Sequence, residues 1–369
     1  MKKENPLYIL GILETTKNYK DFEKSKGKKY KEYRDAWSNR LFNKDPGNAP
    51  LNLNAEVTTK CNMACTFCYN SALNPSEVGT LPLELFGKVV SELIEDPDFS
   101  AVNLNGLGES LMVSNFSDYV KTAKSAGVID VMFHTNASIM NQKIASELLS
   151  AGVDKVIFSV DSPDKETYES MRLQKTSLKG FPFEQIRQNV LTFKETRDHH
   201  SSNNAVIRCT MVLTDTTKSQ VTQFKQYWGG IADLLTVQDL TWRDNVAYDW
   251  ENGESSPNNI VLEDVKRILV EKKCDWSCPY VYQSLFIHQD GNYVPCSNPY
   301  ARKELIMGNS NEKTAIEVWN SQEYKKLRSF HDKGQWYEHP TCNKCEIAII
   351  EALKLNDEEM ASSFATKEG

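Results

Sequence analysis

The chain has 369 residues, of which 40% are hydrophobic and 25% are charged, and its formal net charge is −7. This length and composition suffice for about two or three domains, and the mild acidity excludes a general electrostatic attraction to nucleic acid or anionic lipid. No apolar stretch approaches the roughly 18 to 20 residues that span a bilayer, and the N-terminus lacks a signal-peptide cleavage site. We therefore expect a cytoplasmic protein without a nucleic-acid or membrane partner.

The predicted elements begin with a leader that is rich in Lys, Tyr and Glu, reads as helix and ends at the chain-breaking sequence DPGNAP. Strands and helices alternate after it. The apolar patterns predict strands over 51–57, 101–108, 128–136, 153–161, 204–214 and 233–240. They predict helices over 82–94, 116–127, 141–152, 183–196 and 218–228.

Six strands that alternate with helices predict an α/β fold with a parallel sheet and right-handed crossovers. Since eight such units close a full barrel, six predict an open, partial (β/α)6 barrel. We predict five segments: a helical leader at 1–48, the partial barrel at 49–245, a linker at 246–273, a small cysteine-rich domain at 274–350 and a polar tail at 351–369.

The cysteines indicate metal binding. Eight of the nine lie in two regions, and in a reducing compartment such clustering favours metal centres over disulfides. Cys61, Cys65 and Cys68 directly follow the first strand, at the edge of a parallel sheet where active sites form. Structural zinc favours four ligands, whereas three thiolates on a four-iron cluster leave one iron open to a further ligand.

The CxxxCxxC pattern, with Phe67 before its last cysteine, resembles the radical S-adenosylmethionine (radical SAM) superfamily. Three further segments are similar to that family's elements after the second, third and fourth strands: NLNGLGES (103–110), FHTNAS (133–138) and IFSVDSPDKETYESMR (157–172). Ser110 stands where the family most often has Pro. The resemblance implies that the three cysteines hold a [4Fe–4S] cluster. It also implies that S-adenosylmethionine is bound by Phe67, Gly108, Glu109, Ser159 and Arg172.

The resemblance also implies a reaction. Radical SAM enzymes cleave S-adenosylmethionine with one electron, and the resulting 5′-deoxyadenosyl radical takes a hydrogen atom from the substrate. The expected partners are therefore a small-molecule substrate and a reductant such as flavodoxin or ferredoxin. The cofactor carries the difficult chemistry, and the protein positions and shields it.

The second cysteine region predicts another metal centre. The sequence HQDGNYVPC predicts a β-hairpin that turns at Asp290-Gly291 and brings Cys278 and Cys296 together. Cys342 and Cys345 form a CxxC pair further along the chain. Four such thiolates fit zinc and a cubane iron–sulfur cluster equally well by geometry.

This region resembles the SPASM and twitch extensions of the same superfamily. Because no cysteine follows Cys345, it is most similar to the shorter twitch form, which has one auxiliary [4Fe–4S] cluster. Its cysteine spacing is similar to that of the 2-deoxy-scyllo-inosamine dehydrogenases, twitch enzymes that oxidise an aminocyclitol alcohol. The resemblance thus implies two clusters, and an auxiliary cluster with four protein ligands is suited to electron transfer.

We therefore expect an oxidoreductase that removes two electrons from a sugar, aminocyclitol or other polyol. One alternative is a radical epimerase in which Cys274 or Cys209 donates a hydrogen atom, although Cys209 lies in an apolar strand typical of a protein core. Another is a peptide-modifying maturase, for which the leader is short and highly charged. The non-enzyme alternative is a zinc-binding structural protein.

Overall fold

The computed structural model describes residues 10–73, 75–200, 205–239, 267, 270–271, 276–345 and 347–349. The predicted tail at 351–369, most of the predicted linker at 246–273, and Cys274 lie outside the described residues. No helix among the described residues is long and apolar enough to cross a membrane.

One sheet runs through the described parts of the chain. Its ten described strands lie in the order β1-β7-β6-β5-β4-β3-β2-β8-β9-β10. The strands are β1 (Leu10–Thr15), β2 (Asn52–Ala55), β3 (Ala101–Leu104), β4 (Asp130–Thr135), β5 (Lys155–Ser159), β6 (Val206–Leu213), β7 (Leu234–Asp239), β8 (Ser284–Ile287), β9 (Asn292–Val294) and β10 (Gly308–Asn309).

Strands β2 to β7 confirm the six predicted strands. Each pairs in parallel with the next in chain order, and the sheet curves without closing, which confirms the partial barrel. The described α-helices are α1 (Lys17–Ser25), α2 (Gly27–Asn43), α3 (Leu83–Leu93), α4 (Phe116–Ala126), α5 (Gln142–Ala151), α6 (Lys165–Met171), α7 (Phe183–Asp198), α8 (Val221–Trp228), α9 (Tyr280–Gln283), α10 (Pro299–Glu304), α11 (Ala315–Trp319) and α12 (Gln322–Asp332). Helices α3, α4, α5, α7 and α8 confirm the predicted helices, and α6 is an addition.

The two faces of the parallel strands differ sharply in polarity. One face is apolar and packs with the helices in a single core, through side chains such as Leu53, Val102 and Phe158. The alternate positions carry polar side chains, among them Asn54 and Asn103. Because successive side chains of a strand point to opposite faces, these polar groups line the inside of the barrel.

The predicted helical leader is wrong at its start, since Leu10–Thr15 forms β1 and pairs antiparallel with β7. Strand β7 would otherwise leave its backbone N–H and C=O groups unpaired at the sheet edge, and an apolar sequence with β-branched residues readily adds a strand there. The helical prediction holds for α1 and α2.

Helices α1 and α2 cover the end of the barrel at which the parallel strands begin. Phe22, Tyr30 and Tyr33 pack in one cluster with the strand-start residues Leu51, Ala101, Val206 and Leu234. At this end of the barrel, the ammonium of Lys155 lies 3.0 Å from the hydroxyl of Tyr30 and 2.5 Å from a carboxylate oxygen of Asp130. The carboxyl ends of the strands are therefore the open end.

The cysteine-rich segment continues the barrel sheet. Strand β8 pairs in parallel with β2, from Asn52 opposite Ser284 to Ala55 opposite Ile287. Strands β8 and β9 form the predicted hairpin, which is confirmed. Gly291 in its turn has φ of 83°, and a Cβ there would lie 2.6 Å from the Ser310 hydroxyl. Both facts favour glycine at this position.

The leader packing generates a stability prediction. Phe22→Ala is expected to lower the free energy of unfolding by about 3 to 4 kcal/mol, because the Phe22 ring is only 5% exposed and its removal leaves a cavity. The control is Phe42→Ala in the same leader, where the ring is 77% exposed. Its effect is expected to stay within about 0.5 kcal/mol. Urea unfolding measures both variants, and equal midpoints would contradict the packing role of α1.

Candidate functional site

The loop with Cys61, Cys65 and Cys68 runs between β2 and α3, and backbone hydrogen bonds fasten it to the end of α6 and to the residues just after it. The N–H of Ala64 donates to the carbonyl of Leu173 (2.8 Å), and that of Thr66 donates to the carbonyl of Met171 (3.0 Å). Cys65 is buried, whereas Cys61 and Cys68 are half-buried. The loop thus holds three thiols at the open end of the barrel.

The three thiols influence one another electrostatically. Burial raises the pKa of Cys61 to about 11 and that of Cys65 to about 12. The neighbouring Cys68 contributes to both of these rises in pKa, and Cys61 contributes to the rise in the pKa of Cys65. Burial also raises the pKa of Cys68.

The donor set fits a multi-iron centre. Among the described residues, no three His, Cys, Asp or Glu side chains are close enough to hold one metal ion. A single ion needs all donors within about 2.3 Å, whereas a cubane cluster gives each thiolate its own iron. Three neighbouring thiols on one loop can each bind one iron of a four-iron cluster.

Arg172, at the end of α6, lies directly against this loop. Its Nη1 is 3.5 Å from the sulfur of Cys65, and its guanidinium carbon is 5.3 Å from the centre of the Phe67 ring. Its Nε donates to Oδ2 of Asp161 (2.5 Å), and its Nη2 forms an ion pair with the same carboxylate. The buried Asp161 fixes the guanidinium, because its Oδ1 also accepts from the N–H of Val212 (3.0 Å).

Sequence reasoning missed Asp161. The available signal was its place just after β5, within the segment 157–172 that had drawn attention for Ser159 and Arg172. Asp161 has φ of 45°, an uncommon conformation for a non-glycine residue and one that Asp tolerates better than most.

Glu109 joins two of the loops at the open end. Its Oε1 accepts from the hydroxyl of Thr135 (2.8 Å) and the N–H of Leu111 (3.1 Å), and its Oε2 accepts from the N–H of Asn136 (2.7 Å). Burial raises the pKa of this carboxyl, and these hydrogen bonds oppose the rise. Each carboxylate oxygen has about two acceptor positions, so Oε2 retains capacity for one more donor.

Gly108 is required by backbone packing. A Cβ at this position would lie 2.3 Å from the carbonyl oxygen of Thr58 and 2.6 Å from that of Lys60. The loop after β3 therefore touches the strand and loop that lead into the cysteines. Ser159, the last residue of β5, lies on the inner face of the barrel and is partly exposed.

The second set of thiols lines one largely apolar cavity. Cys278, Cys296, Cys342 and Cys345 all lie on its wall. Burial raises the pKa of Cys296 to about 12 and raises the pKa of Cys278 and of Cys342 well above the usual value, and the neighbouring thiols contribute to each rise. The structure thus brings all four cysteines predicted as ligands to one cavity.

His331 is a further contact that sequence reasoning missed. Its Nδ1 accepts from the N–H of Cys278 (3.2 Å), so its Nε2 carries the proton and lies 3.7 Å from the sulfur of Cys342. Burial lowers the pKa of His331 to about 3, which keeps the ring neutral. No local sequence signal marks this histidine, because it comes from α12, far from the hairpin cysteines.

A second cavity, of about 260 Å³, lies inside the barrel. Asn54, Asn103, His134 and Gln238 from β2, β3, β4 and β7 contribute to its wall. Tyr280 and Ser297 line both this cavity and the one with the four thiols. The signal for such a cavity was the polar residues within the strands, because parallel strands buried on both faces are nearly all apolar.

Glu56 and Arg302 form a buried ion pair on the wall of the barrel cavity. Nη1 of Arg302 donates to both carboxylate oxygens of Glu56, at 2.8 and 3.0 Å. The pair joins the end of β2 to α10 and so couples the barrel to the cysteine-rich segment. Burial raises the pKa of Glu56, and Arg302 opposes the rise.

Cys209 does not reach the barrel cavity. It lies in β6 on the apolar face and belongs to the core shared with the helices, as predicted. Cys274, the other cysteine considered as a hydrogen donor, lies outside the described residues.

Comparisons with known proteins identify two domains in this chain. Residues 55–217 match the profile of the radical SAM superfamily, and residues 278–346 match that of SPASM, an iron–sulfur cluster-binding domain. One relative is a tungsten-containing aldehyde ferredoxin oxidoreductase cofactor-modifying protein from Pyrococcus furiosus. It is 25% identical over 323 residues, which cover 79% of this chain and 86% of that protein.

A second relative is the S-adenosyl-L-methionine-dependent 2-deoxy-scyllo-inosamine dehydrogenase of Niallia circulans. It is 20% identical over 308 residues, which cover 83% of this chain and 96% of the dehydrogenase. Among solved structures, Streptococcus suis SuiB bound to its precursor peptide SuiA aligns with a TM-score of 0.58 and 15% identity. That alignment covers 82% of this chain and 71% of SuiB, and it shows a shared fold.

The Arg172–Asp161 pair generates a prediction with a matched control. Asp161→Asn leaves Arg172 buried without its counter-ion, and the expected cost is about 3 kcal/mol of unfolding free energy. Asp233→Asn makes the same substitution in the buried Arg197–Asp233 pair at the closed end of the barrel, where a smaller cost is expected because Arg197 keeps its ion pair with Asp198.

Only Asp161→Asn is expected to lower the amount of bound iron, because Arg172 contacts Cys65 and Phe67 in the first cysteine loop. Iron is counted after anaerobic reconstitution of both variants. Equal iron content in the two would mean that the pair contributes to folding only.

Proposed function

Because the chain belongs to the radical SAM superfamily and carries a SPASM-type iron–sulfur cluster-binding domain, we propose that it is an oxidoreductase that acts on a small polyol. The substrate is a sugar, an aminocyclitol or a related polyhydroxy compound, and the reaction is a two-electron oxidation of an alcohol to a ketone. The observation that carries this proposal is the polar cavity inside the barrel, which shares Tyr280 and Ser297 with the cavity of the four thiols.

Two [4Fe–4S] clusters are part of the proposal. Cys61, Cys65 and Cys68 hold the cluster that binds S-adenosylmethionine, and Cys278, Cys296, Cys342 and Cys345 hold the auxiliary cluster. S-adenosylmethionine bound at the first cluster supplies, on one-electron reduction, the 5′-deoxyadenosyl radical that removes a hydrogen atom from the substrate. A flavodoxin or ferredoxin is the proposed electron donor.

The residues proposed to bind S-adenosylmethionine are Phe67, Gly108, Glu109, Ser159 and Arg172. The free acceptor position on Glu109 Oε2 suits the amino group of the methionine moiety. Arg172, fixed by Asp161, and the hydroxyl of Ser159 suit its carboxylate. Phe67 offers an aromatic face to adenine, and Gly108 keeps the loop close to the cysteines.

The electron balance gives the auxiliary cluster its role. Oxidation of an alcohol carbon to a ketone removes one hydrogen atom from the carbon, one proton from the hydroxyl and one further electron. With S-adenosylmethionine bound, the deoxyadenosyl radical would take the hydrogen atom, and the electron would need a one-electron acceptor near the substrate. The wall shared by the two cavities supports the second cysteine site as that acceptor.

The comparisons and the cysteine positions bear on the alternatives. The Niallia circulans relative is by name a dehydrogenase of an aminocyclitol, and the Pyrococcus furiosus relative is by name a cofactor-modifying protein, so both names are consistent with a small-molecule substrate. Epimerisation with Cys209 as the hydrogen donor is disfavoured by its place in the apolar core. The alignment with SuiB shows that the two proteins share a fold, and it gives no support for a peptide as the substrate of this chain.

The cluster assignment is tested by anaerobic reconstitution. The wild type is expected to bind about eight irons, as two four-iron clusters require. The Cys61→Ala/Cys65→Ala/Cys68→Ala variant is expected to bind about four. With dithionite and S-adenosylmethionine, only the wild type should form 5′-deoxyadenosine. Zinc without iron, and no cleavage of S-adenosylmethionine, would refute the proposed function.

The role of the second site is tested separately. Cys342→Ala/Cys345→Ala should retain 5′-deoxyadenosine formation and lose oxidised product, because the hydrogen-abstraction site stays intact while the electron acceptor is lost. Cys209→Ala is the control cysteine variant and should retain both products. Full oxidation by the double variant would refute electron acceptance by the auxiliary cluster.

A further inference from the structure

Two asparagines on neighbouring strands form an amide pair in the barrel cavity. Asn54 on β2 lies opposite Asn103 on β3, and Nδ2 of Asn103 donates to Oδ1 of Asn54 at 3.0 Å. Both side chains line the cavity. Neither belongs to the residues proposed for cluster or S-adenosylmethionine binding.

The pair leaves one donor group and one acceptor without partners. Nδ2 of Asn54 and Oδ1 of Asn103 are buried atoms with no hydrogen-bond partner, and the side chain of Asn54 is more than nine-tenths buried. Buried polar atoms are nearly always hydrogen-bonded, because an unmade bond costs about 1 to 3 kcal/mol. Two such atoms on one cavity wall therefore point to a ligand that both accepts and donates.

The cavity wall carries little net charge. Among its described lining residues, the charged side chains are Glu56 and Arg302, and they neutralise each other in their ion pair. Burial lowers the pKa of His134 and of His288 to about 3, so both rings are neutral at physiological pH. An uncharged ligand loses much less hydration energy than an ion does on entering such a site.

We propose that Asn54 and Asn103 form a subsite that binds neutral hydroxyl groups of the substrate, with Nδ2 of Asn54 donating to one hydroxyl and Oδ1 of Asn103 accepting from the same or the next one. The inference rests on the proposed function and narrows the proposed substrate class to polyols whose ring is uncharged where it contacts Asn54 and Asn103. Asn54 and Asn103 are substrate-positioning residues in it.

The main competitor is an anionic substrate. Arg208 on β6 has a buried Nη2 without a hydrogen-bond partner, and its electrostatic effect lowers the pKa of His134. Its Nε donates to the hydroxyl of Thr236 at 3.0 Å, and it is not among the residues that line the cavity. Among the described residues that line the cavity, Asn54 and Asn103 are the ones that carry unpartnered buried side-chain atoms, which favours the neutral ligand.

The probes for the test are myo-inositol and myo-inositol 1-phosphate, which share one ring and differ in charge. Calorimetry measures their binding to the cluster-loaded protein with S-adenosylmethionine present. Asn54→Ala and Asn103→Ala are each expected to weaken myo-inositol binding about tenfold, as loss of one or two hydrogen bonds predicts. The two variants give independent readings should one of them fold poorly.

Asn52→Ala is the matched control. Asn52 lies two residues earlier on the same face of β2, is buried and also has an unpartnered Oδ1, but it does not line the cavity. Its substitution should leave myo-inositol affinity within about twofold of the wild type. A substitution that changes only the stability of the fold leaves the contacts with bound myo-inositol unchanged. All variants are compared by iron content and unfolding midpoint.

Three results would overturn the subsite: no binding of myo-inositol to the wild type, equal affinity in all variants, or tighter binding of the phosphate, which would indicate an anion site at Arg208. The proposed function is decided by other readouts, namely 5′-deoxyadenosine and oxidised product. Binding that depends on the pair without oxidation would refute the oxidation and retain the subsite. Oxidation of a polyol that is unchanged by substitution of Asn54 or Asn103 would refute the subsite and retain the proposed oxidation.

Discussion

The alternation of side chains along six short parallel strands is the constraint on which this molecule depends. A strand residue faces either the helices or the barrel interior, and neighbouring parallel strands keep the same parity, as Asn54 opposite Asn103 and Leu53 opposite Val102 show. A slip of one residue would place amides in the core and aliphatic groups in the cavity. The apolar face therefore fixes the register, and the register in turn fixes which polar groups meet inside the barrel.

The common direction of the six strands positions the residues proposed to bind the cluster and S-adenosylmethionine. All six strands end at one edge, so the loops with Cys61, Glu109 and Arg172 converge there although they are distant in sequence. Contacts between the loops then hold them: Gly108 packs on the carbonyls of Thr58 and Lys60, and the cysteine loop bonds to the backbone after α6. Packing on the helices supplies the stability, and the polar contacts at the open end set the positions.

Much of this organisation is predictable from sequence because it depends on patterns of residues that are close together in the chain. The three cysteines lie within one loop, and the six strands and five helices follow from apolar periodicity. The Glu56–Arg302 pair is not predictable in that way, since its members are 246 residues apart and meet through the pairing of β2 with β8. Likewise, β1 depends on an open edge at β7 that only the assembled sheet presents. His331 was missed because its partner Cys278 is 53 residues away in the chain, whereas Asp161 lies in the same short segment as its partner Arg172.

The pairing of β8 with β2 has a chemical consequence. A separate domain joined by a linker alone would leave the distance between substrate and auxiliary cysteines unfixed. Here the hairpin extends the sheet, the Glu56–Arg302 pair ties α10 to the end of β2, and Tyr280 and Ser297 form a wall common to both cavities. A one-electron acceptor bound by those cysteines would lie beside the substrate cavity. The sheet that sets the polarity of the cavity thus also sets its distance from the second group of cysteines.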